Sequence, residues 1–181
     1  MIRYSCCDRV FTRSDGILGR GIRWATRTKG EEKTEANHVG LITWPGSKMN
    51  AFITEALWTV KNHSLFDKYH KNGEVAVYRP RNLTLTQSLK ILDYMSENVG
   101  RRYGWWKILF HLGYKLTGWR KLLKPMFIDE RPICSYLVAR AFSKAGLNFG
   151  VAARSANPDD MMDFCRDNPD KYELVHPMQE I

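Results

Sequence analysis

The sequence predicts an α+β fold in which a small antiparallel sheet packs against helices. Two patterns predict it. Short apolar runs bounded by turn residues fill the first half, and helical spacing takes over after residue 84. The first run is Asn37-His38-Val39-Gly40-Leu41-Ile42-Thr43-Trp44, closed by the turn residues Pro45-Gly46-Ser47. The run Ala51 to Trp58 reads as its hairpin partner, and a third run, Glu74 to Arg79, stops at Pro80. Upstream, a short helical pattern surrounds Ile17, Leu18, Ile22, Trp24 and Ala25, and a charged loop follows from Thr28 to Ala36.

The helices carry their own punctuation. Thr84 followed by Gln87 is a capping-box pattern, with Leu85, Leu89, Leu92 and Met95 at helical spacing behind it. Trp105, Leu109, Leu112, Leu116 and Trp119 share one face of a second helix. Pro132 precedes the run Cys134 to Phe142, and Gly146 follows it, the arrangement of a helix start and stop. Asn157 is placed to cap a helix opening at Pro158, and Glu173 to His176 reads as a last strand.

Composition narrows the class. With 181 residues, 44% apolar, and Gly and Pro together at 13 + 7 = 20, the chain is long and apolar enough for a core of its own. One domain over residues 1–181 is expected, and disorder or low complexity is excluded. Lys and Arg exceed Asp and Glu by 28 − 19 = 9. That charge suits nucleic acid, anionic lipid or an acidic polymer without choosing among them. No apolar leader and no membrane-length apolar stretch is present, so a cytoplasmic location is expected. The cysteines, Cys6, Cys7, Cys134 and Cys165, show no metal-type spacing.

Three side chains invite a chemical reading. Cys134 falls at the first turn of its helix, where unpaired amides lower a thiol pKa and can hold an oxyanion. A structural, buried cysteine fits the same position. His38 opens a strand, where an imidazole can meet a helix-borne thiol as its base, although a strand histidine also serves structure alone. Glu55 would orient that imidazole if its strand pairs with the one holding His38; otherwise it is a sheet-surface carboxylate. The segment from Tyr103 to Lys124 interleaves Trp105, Trp106, Phe110 and Trp119 with basic residues. It reads as a core helix with a basic flank or as a contact for a membrane surface, and no nucleic-acid motif accompanies it.

Taken in order, His38-Val39-Gly40-Leu41-Ile42, Ile53-Thr54-Glu55-Ala56 and Cys134-Ser135-Tyr136-Leu137-Val138 resemble the circularly permuted branch of the NlpC-type papain-like superfamily, the YiiX-like amidases, whose distant relatives include the lecithin-retinol acyltransferase kind. The stretch from Ser14 to Thr26 is similar to that family's opening, Tyr103 to a family tyrosine, and Ser155 to Asp160 to its late Ser-Pro-Asp-like element. Asn37, Ile133 and Tyr136 depart from the family pattern. The resemblance implies a permuted papain-like fold with Cys134 as nucleophile, His38 as base and Glu55 as orienting group. Tyr103 and Ser135 are the expected substrate contacts. It implies a thiol hydrolase, an amidase or cysteine peptidase needing no metal or organic cofactor. The expected substrates carry amide or ester bonds, with cell-wall peptides and lipids as the candidates. A lipid-directed acyl hydrolase or acyltransferase, and a non-enzymatic binding module, are the alternatives. Specific nucleic-acid binding is not expected, and residues 103–124 are the expected membrane contact.

Overall fold

The central sheet is built around a strand that the sequence pattern hides. A computed structural model of the chain describes residues 2–13, 35–71, 73–102 and 134–181. The expected helix near residues 17–25, the charged loop up to residue 34 and the Trp-rich helix over 105–119 lie outside the described residues. The strands are β1 (Arg3–Tyr4), β2 (Arg9–Arg13), β3 (His38–Trp44), β4 (Gly46–Ser47), β5 (Phe52–Ala56), β6 (Val60–Ser64), β7 (Glu74–Pro80) and β8 (Tyr172–Gln179). The helices are α1 (Leu65–Tyr69), α2 (Leu85–Asn98), α3 (Cys134–Lys144) and α4 (Pro158–Asp167). Six strands form one antiparallel sheet in the order β6-β5-β3-β2-β7-β8, and β1 pairs with β4 beside it. This is the expected α+β arrangement, with sheet and cysteine-bearing helices in contact.

Strand β2 lies between β3 and β7, with Phe11 opposite Val39 on one side and Ala76 on the other. It is covered on both faces, so its residues do not alternate apolar with polar. Phe11, Val39 and Leu41 join the core under α2, α3 and α4. Val10, Ile42, Ile53, Val75 and Val77 join a second core with Tyr4, Leu65 and Tyr69. Arg9 is buried, and its guanidinium lies 4.0 to 4.3 Å from the ring centres of Phe142, Phe149 and Tyr172. A flanking arginine that ends up inside a sheet is what masks β2 in the sequence.

Helix α2 starts as its capping box predicts, with Thr84 and Gln87 exchanging both bonds. Its inward face matches the expected stripe only in part, at Met95 and the half-buried Leu92. Ile91 and Met95 are buried, whereas Leu85 and Leu89 are exposed. Helix α3 packs on β3, β5 and α2, and ends where Gly146, at a φ of 79°, takes the left-handed conformation glycine favours. Strand β8 runs through Pro177, which an edge strand tolerates because one side needs no ladder bonds.

Candidate functional site

The site is assembled where β3 begins. Asn157 caps α4 by accepting from the Asp160 amide, and this presents Asp159 to the incoming chain. The buried Asp159 carboxylate accepts from the backbone N–H of Glu35 at 2.8 Å and of Ala36 at 3.1 Å. Those bonds hold the two residues that lead into His38. On β5, Glu55 reaches back across β3, and Gly40 makes the room. A Cβ on Gly40 would stand 2.5 Å from Ile53 Cδ1 and 3.1 Å from Glu55 Cβ. The glycine of the His-Val-Gly run therefore lets β3 pack closely on β5, against Ile53 first and Glu55 Cβ second.

His38 Nε2 lies 2.7 Å from Glu55 Oε2. The imidazole also hydrogen-bonds and interacts electrostatically with Cys134 at the start of α3. The structure thus brings Cys134, His38 and Glu55 together. Tyr69, from the short helix α1, donates its phenol O–H to Glu55 Oε2 at 2.5 Å and is itself hydrogen-bonded to Thr12 of β2. His63 of β6 faces the other carboxylate oxygen, its Nε2 3.7 Å from Glu55 Oε1. Among the described residues neither of those two atoms has a hydrogen-bond partner, and both are buried.

Charge follows from this packing. Burial pushes the His38 pKa down, but the Cys134 sulfur and the Glu55 carboxylate outweigh it and raise it to about 10. Burial likewise works against ionised Glu55. The bonds from His38 and Tyr69, with His63 nearby, overcome that and hold its pKa below the ordinary carboxylate value. Tyr69 is pushed well above the usual phenol value by burial and by Glu55, so it remains a donor. His63 is lowered by burial, against the pull of Glu55.

Tyr69, His63, Thr12 and Asp159 were not singled out as functional residues by sequence reasoning. The pattern around residues 60–69 has no long period, so neither β6 nor α1 announces itself. Ser135 is buried beside Cys134 on the first turn of α3. Tyr103 lies outside the described residues, as does the whole expected membrane contact over residues 103–124.

No protein-family model and no curated protein matches the chain. Among solved structures the chain is similar to the crystal structure of metalloprotein yiiX from Escherichia coli O157:H7. The TM-score is 0.54 at 19% identity, over 81% of this chain and 69% of that one. At that identity the likeness is one of fold.

This comparison corrects the functional assignment. The relative is described as a metalloprotein, not as a thiol hydrolase, so the assignment as a cysteine-dependent amidase or peptidase is withdrawn, together with its acyl hydrolase and acyltransferase variant. Cys134 is 5% exposed and Glu55 is wholly buried. A cavity of about 280 Å³ lies at the far end of α3, lined by Ala139, Ser143 and Phe149 among others and not by Cys134, His38 or Glu55. A thiolate, two imidazoles and a carboxylate are zinc-type donors. However, His38 stands between Cys134 and Glu55, and among the described residues no three His, Cys, Asp or Glu side chains form a metal-binding group. The residues do not fit a preformed metal centre.

Proposed function

We propose that the chain has the YiiX-like, permuted papain-like arrangement and uses it to carry a reactive-thiol site, with Cys134 as the sulfur that captures an electrophilic ligand. The observation that supports this is the position of His38, in contact with Cys134 on one side and 2.7 Å from Glu55 on the other. Glu55 stabilises the imidazolium, and the imidazolium stabilises a thiolate. Tyr69 keeps Glu55 ionised and aimed. None of the four cysteines is in a disulfide, which suits a reducing compartment such as the cytoplasm. Among the described residues no helix is long and apolar enough to cross a membrane.

The test is alkylation with iodoacetamide, in which the Cys134 sulfur forms a bond to carbon as iodide leaves. Labelled peptides are identified by mass spectrometry across pH. Labelling of Cys134 ahead of Cys6, Cys7 and Cys165 below about pH 7 is expected, because only a perturbed thiol is ionised there. His38→Ala should slow it at least about tenfold at that pH. An ordinary thiol profile at Cys134 in both proteins would overturn the proposal.

A further inference from the structure

At the end of β3 opposite to His38 the described residues leave apolar side chains uncovered. Trp44 closes β3 at 68% exposed, and Phe52, its direct partner at the start of β5, is 43% exposed. Met49, in the turn between them, is 54% exposed, and Ile2 beside β1 is 43% exposed. The pairing of β1 with β4 brings Ile2 to this end, because Arg3 lies opposite Ser47. A seven-residue strand separates this tip from His38, a span of about 20 Å.

The charges around the tip have one predominant sign. Arg3 and Lys48 are exposed there. Residues 43–54 contain no acid, and the next carboxylate, Glu55, is buried beneath His38 and Tyr69. Helix α1 adjoins the tip through the Leu65 amide bond to the Ala51 carbonyl, and brings Lys68 and Lys71 with one exposed acid, Asp67. A Trp, a Phe and a Met projecting from a hairpin end between Lys and Arg match the chemistry of a bilayer interface. Aromatic side chains settle at headgroup depth, and basic ones pair with anionic lipid. Trp44 and Phe52 are paired across β3 and β5, and an exposed apolar patch of this kind marks an interaction surface.

We infer that the hairpin tip formed by Trp44, Met49 and Phe52, with Arg3 and Lys48 at its rim, docks the protein on an anionic lipid surface. The apolar side chains enter the interface and the basic ones hold the headgroups. The chain's net charge of +9 works in the same direction.

The experiment is sedimentation of the full chain with vesicles of phosphatidylcholine, with and without phosphatidylserine. Binding to the phosphatidylserine vesicles, weakened by salt, is expected. Trp44→Ser with Phe52→Ser should lower the partition coefficient at least about tenfold, since each removes a large apolar side chain from the interface. Met49→Ser, in an exposed turn, should lower it in the same direction, and Lys48→Gln should lower it only where phosphatidylserine is present. Circular dichroism and an unchanged Cys134 alkylation rate establish that the variants are folded. Three results would overturn the inference: no sedimentation with phosphatidylserine vesicles, undiminished binding by the folded Trp44→Ser, Phe52→Ser variant, or a concentration-dependent dimer abolished by that variant, which would make the tip a contact between copies.

Discussion

Glu55 has no exposed surface and three neighbours competing for its two oxygens. Its ionised form survives burial chiefly because His38 and Tyr69 both donate to Oε2. Tyr69→Phe keeps the ring and removes one of those donors. The expected loss is about 1.5–3 kcal/mol in urea unfolding, the range for a hydrogen bond to a charged group. The same variant should slow Cys134 alkylation near neutral pH, because Glu55 then supports the imidazolium less well. A full loss of stability with an unchanged alkylation profile would mean that Tyr69 holds the core together and does not serve the site.

At the scale of elements, β3 does two jobs. It carries His38 at one end and, at Gly40, leaves space for Ile53 and the Glu55 Cβ of β5. Gly40→Ala would press a methyl group onto Ile53 and against Glu55 Cβ. Overpacking of this kind costs about 1–3 kcal/mol. Because the neighbour displaced is the strand that carries Glu55, the variant should also lose preferential labelling of Cys134. Thermal unfolding and the alkylation assay together check both effects. Helix α4 contributes through the Asp159 carboxylate that fixes the entry to β3.

For the molecule as a whole the coupled groups predict how stability varies with pH. His38 has a folded pKa raised to about 10. Its contribution is complete below the ordinary histidine value and is lost as pH rises through that folded value. Glu55 has a lowered folded pKa, so its contribution is present above the ordinary carboxylate value and is lost as pH falls through the folded one. The midpoint of urea unfolding should therefore fall on both the acid and the alkaline side of neutrality. His38→Ala should flatten the alkaline limb in particular, and an unchanged limb would show that the imidazolium is not coupled to folding.

The elements whose signals lie within a few residues are legible without coordinates: the β3–β5 hairpin, the Thr84 capping box, the Pro158 helix start and the limits of the cysteine helix. The sequence also named Cys134, His38 and Glu55, because their residue types and order are readable without coordinates. Only the tertiary structure decided that β2 is central, since a buried Arg9 caged by rings from α3, β8 and the loop after α3 looks like surface charge in a one-dimensional pattern. Only the tertiary structure brought Tyr69 and His63 to Glu55. They come from different short elements, and nothing in spacing relates a five-residue helix to a carboxylate 14 residues earlier. The depth at which the thiol sits was decided there too, because burial is set by long-range packing and not by the residues on either side.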